Sequence, residues 1–559
     1  MSSAELAALV VDELVRLGVR EAVLSPGSRN APLSYALQAA EAAGGLRLHV
    51  RVDERAAGFL ALGLAVASGL PVPVVTTSGT AAANLHPAVL EASHRGVPLL
   101  ALTADRPPHL VGTGANQTAD QVRLYGEACR WYVGLDALDP SAARPAVDRA
   151  VGWATGAMSR DPGPVQIDLA FREPLVAATV DVSADLRPPT ALGTMDVLGS
   201  VNGPEPVPRT LVVAGGGPGP WTAYAALAAE RRGWPVLAEA SAGFGVIAVP
   251  HGGLLLDAPE WLDAHAPDQV VVVGNPTLHR SIQKLLARPD VEVIVVSATP
   301  RWPDAARAAT RVVAPGWLRA VADLPGPVDE NLKQDWVDAG AVAAGAVAAV
   351  TGADGAVGWP SGAAVARTVI AALPEQAVLQ VASSNPVRDV DLAASPRADI
   401  AVLANRGLAG IDGTLSTAVG VSLALAPRPA YALVGDLAFL HDLNGLLIGP
   451  HEPAPDLTVV VCNDDGGGIF ATLEQGGPSA PEGFERLFGT PTGASIASLA
   501  AGVGAAYELV ADPAALAAVV GRPPAGVTVV EVRTSRADRG AQARALVDAV
   551  RAALGGESA

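Results

Sequence analysis

The chain alternates short apolar runs with amphipathic stretches along most of its length. Near the start, apolar residues recur at helical spacing over Ala4–Leu17, and an apolar run follows at Ala22–Leu24. Such runs predict buried strands, and the 3.6-residue period predicts the helices between them. The same signals predict further strands at Leu46–Val52, Val72–Thr77 and Leu99–Thr103. This order predicts a parallel sheet with helices on both faces, whose functional residues lie at the carboxyl ends of its strands.

The alternation recurs in two later blocks of the chain. Strands are predicted at Leu211–Ala214, Val270–Val273, Val291–Ser297, Ala377–Val381, Ile400–Leu403, Ala430–Val434 and Thr458–Val461. Residues 181–205 lose the periodicity and gain Pro and Gly, which indicates a linker. Because 559 residues exceed what one core supports, we predict an α/β protein with three doubly wound parallel-sheet domains at 1–180, 206–350 and 355–559.

Composition and charge limit the binding partners and the cellular compartment expected for this protein. A net charge of −18 argues against nucleic-acid binding and against an anionic membrane surface. The two cysteines, Cys129 and Cys462, lack zinc-site spacing and fit a reducing compartment. Without a signal-like start or a stretch of membrane-spanning length, we expect a cytoplasmic protein that is not inserted in a membrane. Only Lys284 and Lys333 are lysines among 38 basic residues. The choice of arginine over lysine at a position therefore does not by itself indicate bidentate recognition of an anion.

A glycine-rich string, Gly215–Pro220, follows the predicted strand Leu211–Ala214 and resembles a dinucleotide loop. Its prolines break the G-x-G-x-x-G spacing, and the sequence offers no convincing acidic partner for a ribose about 20 residues later. Turn chemistry is the better interpretation.

Two other strand ends favour a site for a metal and a diphosphate. Asp436 follows one predicted strand within Gly435–Leu437, and Asn463 follows another 27 positions later. A carboxylate, an amide carbonyl and a backbone carbonyl suit a hard cation and leave positions for phosphate oxygens. The glycines at 466–468 let the backbone approach phosphates closely.

Nine motifs together resemble the 2-succinyl-5-enolpyruvyl-6-hydroxy-3-cyclohexene-1-carboxylate synthases. They are Ser25–Leu33, Asp53–Arg55, Thr76–Thr80, Thr103–Pro108, Gly114–Thr118, Ser383–Arg388, Asn405–Gly413, Gly435–Leu437 and Gly466–Phe470. The motifs occur in the family's order and extend over the first and third predicted domains; the resemblance as a whole covers all three.

The resemblance implies the fold of the thiamine-diphosphate decarboxylases, with a pyrimidine-binding domain at 1–180, a central Rossmann-like domain at 206–350 and a diphosphate-binding domain at 355–559. It implies a role in menaquinone biosynthesis. There 2-oxoglutarate is decarboxylated and the succinyl carbanion equivalent adds to isochorismate. The implied cofactors are thiamine diphosphate and Mg²⁺ or Mn²⁺. The implied assembly is a homodimer or dimer of dimers with active sites between subunits.

Cofactor roles carry over from the family motifs by position. Glu54 is the expected partner of the aminopyrimidine N1′, and Ile411 is the expected apolar prop beneath the bent cofactor. Spacing from Asp436 favours Asn463 as the second metal ligand, with the Asp465 carbonyl as the third. Alignment on the glycines would place Asp464 there instead. Further expected cofactor contacts are Ser78, Gln117, Ser384, Arg406, Gly407, Gly435, Leu437, Gly466, Ile469 and Phe470.

Both implied substrates are dicarboxylates, so their buried carboxylates require charge-assisted partners. The candidates are four arginines at predicted strand ends: Arg29, Arg106, Arg388 and Arg406. Neutral hydrogen bonds and an apolar wall are expected from Ser28, Asn116, Gln117, Ser384, Ile469, Phe470 and Leu473.

Two alternatives stay open from the residues alone. One is another thiamine-dependent 2-oxoacid decarboxylase or carboligase, similar to acetohydroxyacid synthase, although several arginines argue against less charged substrates. The other is a non-catalytic ligand-sensing protein, with Arg280 and Arg301 after predicted central strands as an allosteric anion site. The presence of Glu54 argues against a degenerate catalyst.

Overall fold

A computed structural model describes residues 2–555 apart from residue 137 and residues 139–141, 177–199, 218–220, 325–327, 478 and 480. The described strands form three sheets, and every pairing of neighbouring strands is parallel. Parallel strands require crossover connections, and the intervening segments are mostly helices that cover the sheet faces. The predicted α/β class is confirmed.

The first sheet has six strands in the order β2-β1-β3-β4-β6-β5. Its strands are β1 Glu21–Leu24, β2 Arg47–Val50, β3 Val72–Thr76, β4 Leu99–Asp105, β5 Trp131–Asp136 and β6 Val165–Ala170. The accompanying helices are α1 Ser3–Arg16, α2 Ala31–Ala42, α3 Glu54–Ser68, α4 Thr80–Ala83, α5 His86–Arg95 and α6 Ala143–Thr155. The chain order reverses at β1 and β3, and such a switch point is where α/β sheets place their sites.

The second sheet has five strands in the order β11-β10-β9-β7-β8. They are β7 Thr210–Ala214, β8 Val236–Ala238, β9 Gln269–Val273, β10 Glu292–Val296 and β11 Ala309–Val313. The helices are α7 Trp221–Arg232, α8 Gly252–Leu255, α9 Pro259–Ala264, α10 Arg280–Leu286, α11 Gly316–Asp323 and α12 Glu330–Val350. Its core includes Trp336 of α12, which is fully buried.

The third sheet has six strands in the order β13-β12-β14-β15-β17-β16. They are β12 Val378–Val381, β13 Ala401–Ala404, β14 Ala430–Gly435, β15 Leu457–Asn463, β16 Ala506–Val510 and β17 Val527–Arg533. The helices along this part are α13 Gly362–Ala372, α14 Asn385–Ala393, α15 Thr414–Leu425, α16 Asp436–His441, α17 Ile496–Gly502, α18 Pro513–Val520 and α19 Arg539–Ala553. Leu546 and Val550 of α19 belong to the same apolar cluster as the second sheet.

The strands predicted from apolar runs are all present, with ends that differ by at most two residues. Six strands have no predicted counterpart: β5, β6, β8, β11, β16 and β17. Among these, β11 and β16 are sheet-edge strands with only one buried position each, so they lack a continuous apolar run.

The chain folds into two compact units, and neither unit is a single continuous segment of the sequence. One unit contains the first sheet together with Gly407–Pro427 and Asp442–Pro455, and the other contains the second and third sheets. Helix α15 therefore packs with α3, far from it in sequence. A Cβ on Gly63 would lie 2.2 Å from the Thr417 carbonyl oxygen, and one on Gly420 would lie 2.4 Å from the Leu60 carbonyl oxygen. Only glycine permits this approach of the two backbones.

The predicted linker falls largely on residues 181–199, which lie outside the described residues, as do residues 218–220 of the glycine-rich string. None of the helices in the described ranges is long and apolar enough to cross a membrane.

Candidate active site

Glu54 is the first residue of α3, directly after the end of β2. Asp53 caps this helix: its Oδ1 accepts from the backbone N–H groups of Arg55 at 2.9 Å and Ala56 at 3.2 Å. Its second oxygen accepts from Asn444 Nδ2 at 2.8 Å. The cap satisfies helix donors that would otherwise lack partners and fixes the direction in which the first turn starts. Glu54 is thereby held half-buried at the carboxyl edge of the first sheet.

Two of the predicted arginines meet at the ends of β1 and β4. Arg106 is 8 % exposed and donates to Ser78 Oγ, while Arg29 donates to the Phe171 carbonyl at 3.0 Å. Burial lowers the pKa of Arg106, and the positive charge of Arg29 lowers it further. Arg29 is half-buried, and its nearest carboxylate is that of exposed Glu173 at 4.0 Å. Two guanidinium groups within electrostatic reach of each other favour the binding of an anion.

Ser78 and Gln117 join the same cluster. Ser78 Oγ donates to the Gln117 carbonyl at 2.8 Å, and Gln117 Nε2 donates to the Ser78 carbonyl at 3.0 Å. The predicted Ser28 and Asn116 are exposed side chains in the neighbouring loops. The first unit thus brings Arg29, Ser78, Arg106 and Gln117 together, as the motifs predict.

Sequence reasoning missed Gln121, which is 1 % exposed. Its Oε1 accepts from the Gly79 N–H at 2.8 Å, and its Nε2 donates to Asp168 Oδ1 at 2.9 Å. Gln121 therefore ties the turn that carries Ser78 to strand β6. No apolar run or strand end distinguishes this residue, and only the three-dimensional contact identifies it.

The other two predicted arginines meet at the third sheet. Arg388 Nη1 donates to the Ser384 carbonyl at 2.6 Å, and Arg406 Nη2 donates to Thr277 Oγ1 at 2.6 Å. Burial and the charge of Arg406 lower the pKa of Arg388. Ser384 has a positive φ of 76° where β12 turns into α14. The second unit therefore contains its own pair of neighbouring guanidinium groups.

Asp436 and Asp464 lie side by side where the adjacent strands β14 and β15 end. Burial raises the pKa of Asp436, and the charge of Asp464 raises it further. Asn463 faces elsewhere, since its Nδ2 donates to Glu531 Oε1 at 2.8 Å and its Oδ1 accepts from the Asp465 N–H at 3.1 Å. The geometry therefore favours Asp464, rather than the expected Asn463, as the second metal ligand. Asp464 is the residue that alignment on the following glycines places at this position.

The Asp465 carbonyl, which was expected to be the third metal ligand, already accepts a hydrogen bond. Both it and the Asp464 carbonyl accept from Arg536 Nη1. A guanidinium group at this oxygen repels a second cation. The next residue, Gly466, has a φ of 146°, and a Cβ there would lie 1.9 Å from the Gly489 carbonyl oxygen. Backbone therefore occupies the space that side chains would fill at 466.

Within the described part of the chain, no group of three or more His, Cys, Asp or Glu side chains could hold a metal. Two carboxylates with a backbone carbonyl and phosphate oxygens remain a suitable donor set for Mg²⁺ or Mn²⁺.

Several other predicted residues lie near these strand ends. Gly407 donates its N–H to Glu91 Oε1 at 2.7 Å, and Ile411 is half-buried just before α15. Gly435 ends β14, and Leu437 is half-buried in α16. The remaining three, Ile469, Phe470 and Leu473, are half-buried in and directly after the turn that follows the glycines.

The second sheet contains the predicted anion-site arginines and the glycine-rich string, neither of which has a predicted catalytic role. Arg280 and Arg301 are exposed after β9 and β10, and the hypothesis of an anion site there stays a prediction. A Cβ on Gly215 would lie 2.1 Å from the Asn275 backbone, so close packing explains this glycine. An acidic residue does occur at the end of β8, Glu239, and its Oε1 accepts from the Leu278 N–H at 2.6 Å.

Known protein families match both halves of this arrangement. Residues 4–124 match the thiamine pyrophosphate enzyme N-terminal TPP binding domain, and residues 393–532 match the corresponding C-terminal TPP binding domain. Thiamine pyrophosphate is another name for thiamine diphosphate. The first match contains Glu54 and the first pair of arginines, and the second contains Asp436 and Asp464.

Full-length relatives carry one name, 2-succinyl-5-enolpyruvyl-6-hydroxy-3-cyclohexene-1-carboxylate synthase. The protein from Kineococcus radiotolerans is 49% identical over 99% of this chain and 99% of its own length. The protein from Saccharopolyspora erythraea is 46% identical over 98% of this chain and 99% of its own. The protein from Nocardia farcinica is 45% identical over 95% and 96%. The chain belongs to the family of the 2-succinyl-5-enolpyruvyl-6-hydroxy-3-cyclohexene-1-carboxylate synthases.

Proposed function

We propose that this protein decarboxylates 2-oxoglutarate with thiamine diphosphate and adds the succinyl carbanion equivalent to isochorismate. The products are 2-succinyl-5-enolpyruvyl-6-hydroxy-3-cyclohexene-1-carboxylate and CO₂, and the pathway is menaquinone biosynthesis. The observation that carries the proposal is the pair of neighbouring guanidinium groups in each unit, Arg29 with Arg106 and Arg388 with Arg406, of which one is buried and the other half-buried. Dicarboxylate substrates supply the anions that these groups require.

The four arginines also make hydrogen bonds to uncharged groups of the protein. Arg29 and Arg388 donate to backbone carbonyls, and Arg106 and Arg406 donate to hydroxyl groups. The carboxylate nearest to Arg29 is that of exposed Glu173, at 4.0 Å. A bidentate contact between guanidinium and carboxylate also fixes the orientation of the substrate.

Thiamine diphosphate, when bound, supplies a nucleophilic thiazolium carbon and an electron sink for decarboxylation. We assign Glu54 to hold a proton at the aminopyrimidine N1′, a role that a carboxyl group at a helix start can perform. Ile411 would support the cofactor from below. Half-buried Ile469, Phe470 and Leu473 would exclude water from the reacting atoms.

The metal proposal replaces Asn463 and Asp465 by Asp464 and Gly466. Asp436 and Asp464 would bind Mg²⁺ or Mn²⁺ through their carboxylates, with the Gly466 carbonyl as a third ligand. A divalent cation would offset the repulsion between the two adjacent carboxylates. The metal anchors the diphosphate.

We further propose a cytoplasmic homodimer or dimer of dimers with active sites between subunits, in which Glu54 of one chain serves the diphosphate site of another. Mixing two inactive variants tests this arrangement. A Glu54→Gln chain mixed with an Asp436→Ala chain should regain up to about a quarter of the wild-type activity, because statistical re-association creates intact sites. No recovery after demonstrated subunit exchange would contradict shared sites.

The deciding experiment is turnover with 2-oxoglutarate and isochorismate, with and without thiamine diphosphate and Mg²⁺. Activity should require both substrates and the cofactor, and Glu54→Gln should lower kcat by at least about 100-fold, as expected for loss of a general acid or base. Pyruvate offered in place of 2-oxoglutarate is the control for a carboligase similar to acetohydroxyacid synthase. Faster CO₂ release from pyruvate would favour that alternative.

A further inference from the structure

The second unit contains a cavity of about 410 Å³ that the proposed reaction does not use. It lies between the end of β8 and the edge strand β13, and its volume is in the range of small-molecule sites. Apolar side chains form most of its wall, among them Leu237, Phe244, Val249, Ile370, Val390 and Val402. One end is polar and includes Glu239 and Ser241.

Glu239 is 2 % exposed and has one satisfied and one unsatisfied oxygen. Oε1 accepts from the N–H groups of Thr277 and Leu278, which fixes the carboxyl group in place. Oε2 has no hydrogen-bond partner, and neither does the buried Oγ of Ser241. Burial, with the charge of Asp391 as a second cause, raises the pKa of Glu239 to about 7. Buried polar atoms without partners are rare and costly, and two of them belong to residues at the polar end of this cavity.

The other charged groups at the cavity are already paired. Asp391 Oδ1 accepts from the Ala240 N–H at 2.7 Å, and its second oxygen pairs with His279 Nε2. A Cβ on Gly253 would lie 2.5 Å from His279 Cε1, so this glycine makes room for the imidazole ring. Arg397 pairs with Asp399 and donates to the Leu373 carbonyl at 2.7 Å. The residues with unsatisfied oxygens, Glu239 and Ser241, therefore lie at the acidic end of the cavity.

We propose that this cavity binds a small, largely apolar molecule whose hydroxyl or amino group lies at the polar end, beside Glu239. The apolar wall provides the affinity, and the acidic end selects neutral or cationic groups over carboxylates. This preference is opposite to that of the arginine pairs, so the dicarboxylate substrates do not fit here.

Three indole compounds that differ only in the end group test the proposal: tryptophol, tryptamine and indole-3-acetate. Binding to the full-length protein is measured by isothermal titration calorimetry and saturation-transfer NMR. Tryptophol and tryptamine should bind, and indole-3-acetate should bind at least 10-fold more weakly. Equal affinity for all three, or no binding of any at millimolar concentration, would overturn the proposal.

Two variants place the binding at this cavity. Glu239→Gln should remove the preference for tryptamine over indole-3-acetate, because the amide cannot carry a negative charge. Ala398 is exposed at the rim, so Ala398→Trp should block all three compounds without disturbing the core. Exposed Ala501 on α17 serves as the control, and Ala501→Trp should leave binding unchanged. Full binding to Ala398→Trp would place the ligand elsewhere and refute the assignment.

Discussion

At the scale of single residues, this protein concentrates like charges at the ends of its strands. Asp436 lies beside Asp464, and Arg29 lies near Arg106, so a ligand of opposite charge would stabilise each pair. Another like-charged pair, Asp105 with Asp168, lies inside the first unit and belongs to a hydrogen-bond network instead. Thr103 Oγ1 donates to Asp168 Oδ1 at 2.6 Å, and Gln121 Nε2 donates to the same oxygen.

The metal register can be tested by comparing two neighbouring residues. Asp464→Ala should raise the Mg²⁺ concentration needed for half-maximal thiamine diphosphate binding by more than about 100-fold, because a ligand is lost. Asn463→Ala removes the contacts with Glu531 and with the Asp465 N–H but no metal ligand, and it should raise this concentration by at most about 10-fold. Calorimetric titrations of the cofactor at fixed Mg²⁺ concentrations give both values. The reverse order of effects would restore Asn463 as the ligand.

The buried Asp168 predicts a dependence of stability on pH. Burial raises its pKa to about 7, above the unfolded value of about 3.9. Its contribution to stability is therefore complete below about pH 4 and is lost as pH rises through 7. Asp168→Asn does not titrate and keeps an acceptor oxygen for Thr103 and Gln121.

The free energy of unfolding of Asp168→Asn, relative to wild type, should therefore rise by roughly 1–3 kcal/mol between pH 5 and pH 8. Urea unfolding at a series of pH values measures this difference. Asp136→Asn is a matched control, since Arg172 lowers the pKa of that partly exposed carboxyl group and its difference from wild type should fall as pH rises from 3 to 5. A flat difference for Asp168→Asn would show that the carboxyl group is ionised throughout.

At the scale of elements, one rule positions most of the candidate site: functional residues follow the carboxyl ends of adjacent parallel strands. In the third sheet, β13, β12, β14 and β15 are consecutive neighbours, and within three residues of their ends come Arg406, Ser384, Asp436 and Asp464 respectively. In the first sheet, β2, β1, β3 and β4 similarly precede Glu54, Arg29, Ser78 and Arg106. Helix packing then places α3, whose first residue is Glu54, against α15.

The close contact between α3 and α15 gives a prediction for stability. Gly420→Val places a branched side chain against the Leu60 carbonyl, so the helices must separate, at a cost of roughly 1–3 kcal/mol or more. Ala424→Val, a half-buried site on the same helix, is the control and should cost less than about 1 kcal/mol. Chemical denaturation measures both. Equal costs would mean that helix propensity, rather than backbone contact, explains the effect.

At the scale of the whole molecule, the two compact units do not follow the sequence order. Residues Gly407–Pro427 and Asp442–Pro455 interrupt the third sheet in sequence but pack with the first. Local unfolding follows packing rather than chain order, so these segments should open together with the first unit.

Hydrogen exchange of the Gly420→Val variant tests this division. Amide exchange should accelerate in α3 and α15, which share the damaged contact. It should remain unchanged in β14, which begins only five residues after α15 ends but belongs to the other unit. Mass spectrometry of peptic peptides resolves these segments. Acceleration that spreads to β14 as strongly as to α3 would contradict the division into two units.

The sequence by itself determined the α/β class, the long buried strands and the motifs at their ends, because these depend on local periodicity and on residues close together in the chain. The sequence did not predict the edge strands β11 and β16 or the short strand β8, because none of them contains a long apolar run. Tertiary structure alone decided which residue of Asn463, Asp464 and Asp465 faces Asp436, because a one-residue change at a strand end turns the side chain to the other face. It also decided the packing of α15 with α3 and the cavity beside Glu239, since each depends on contacts between residues distant in sequence.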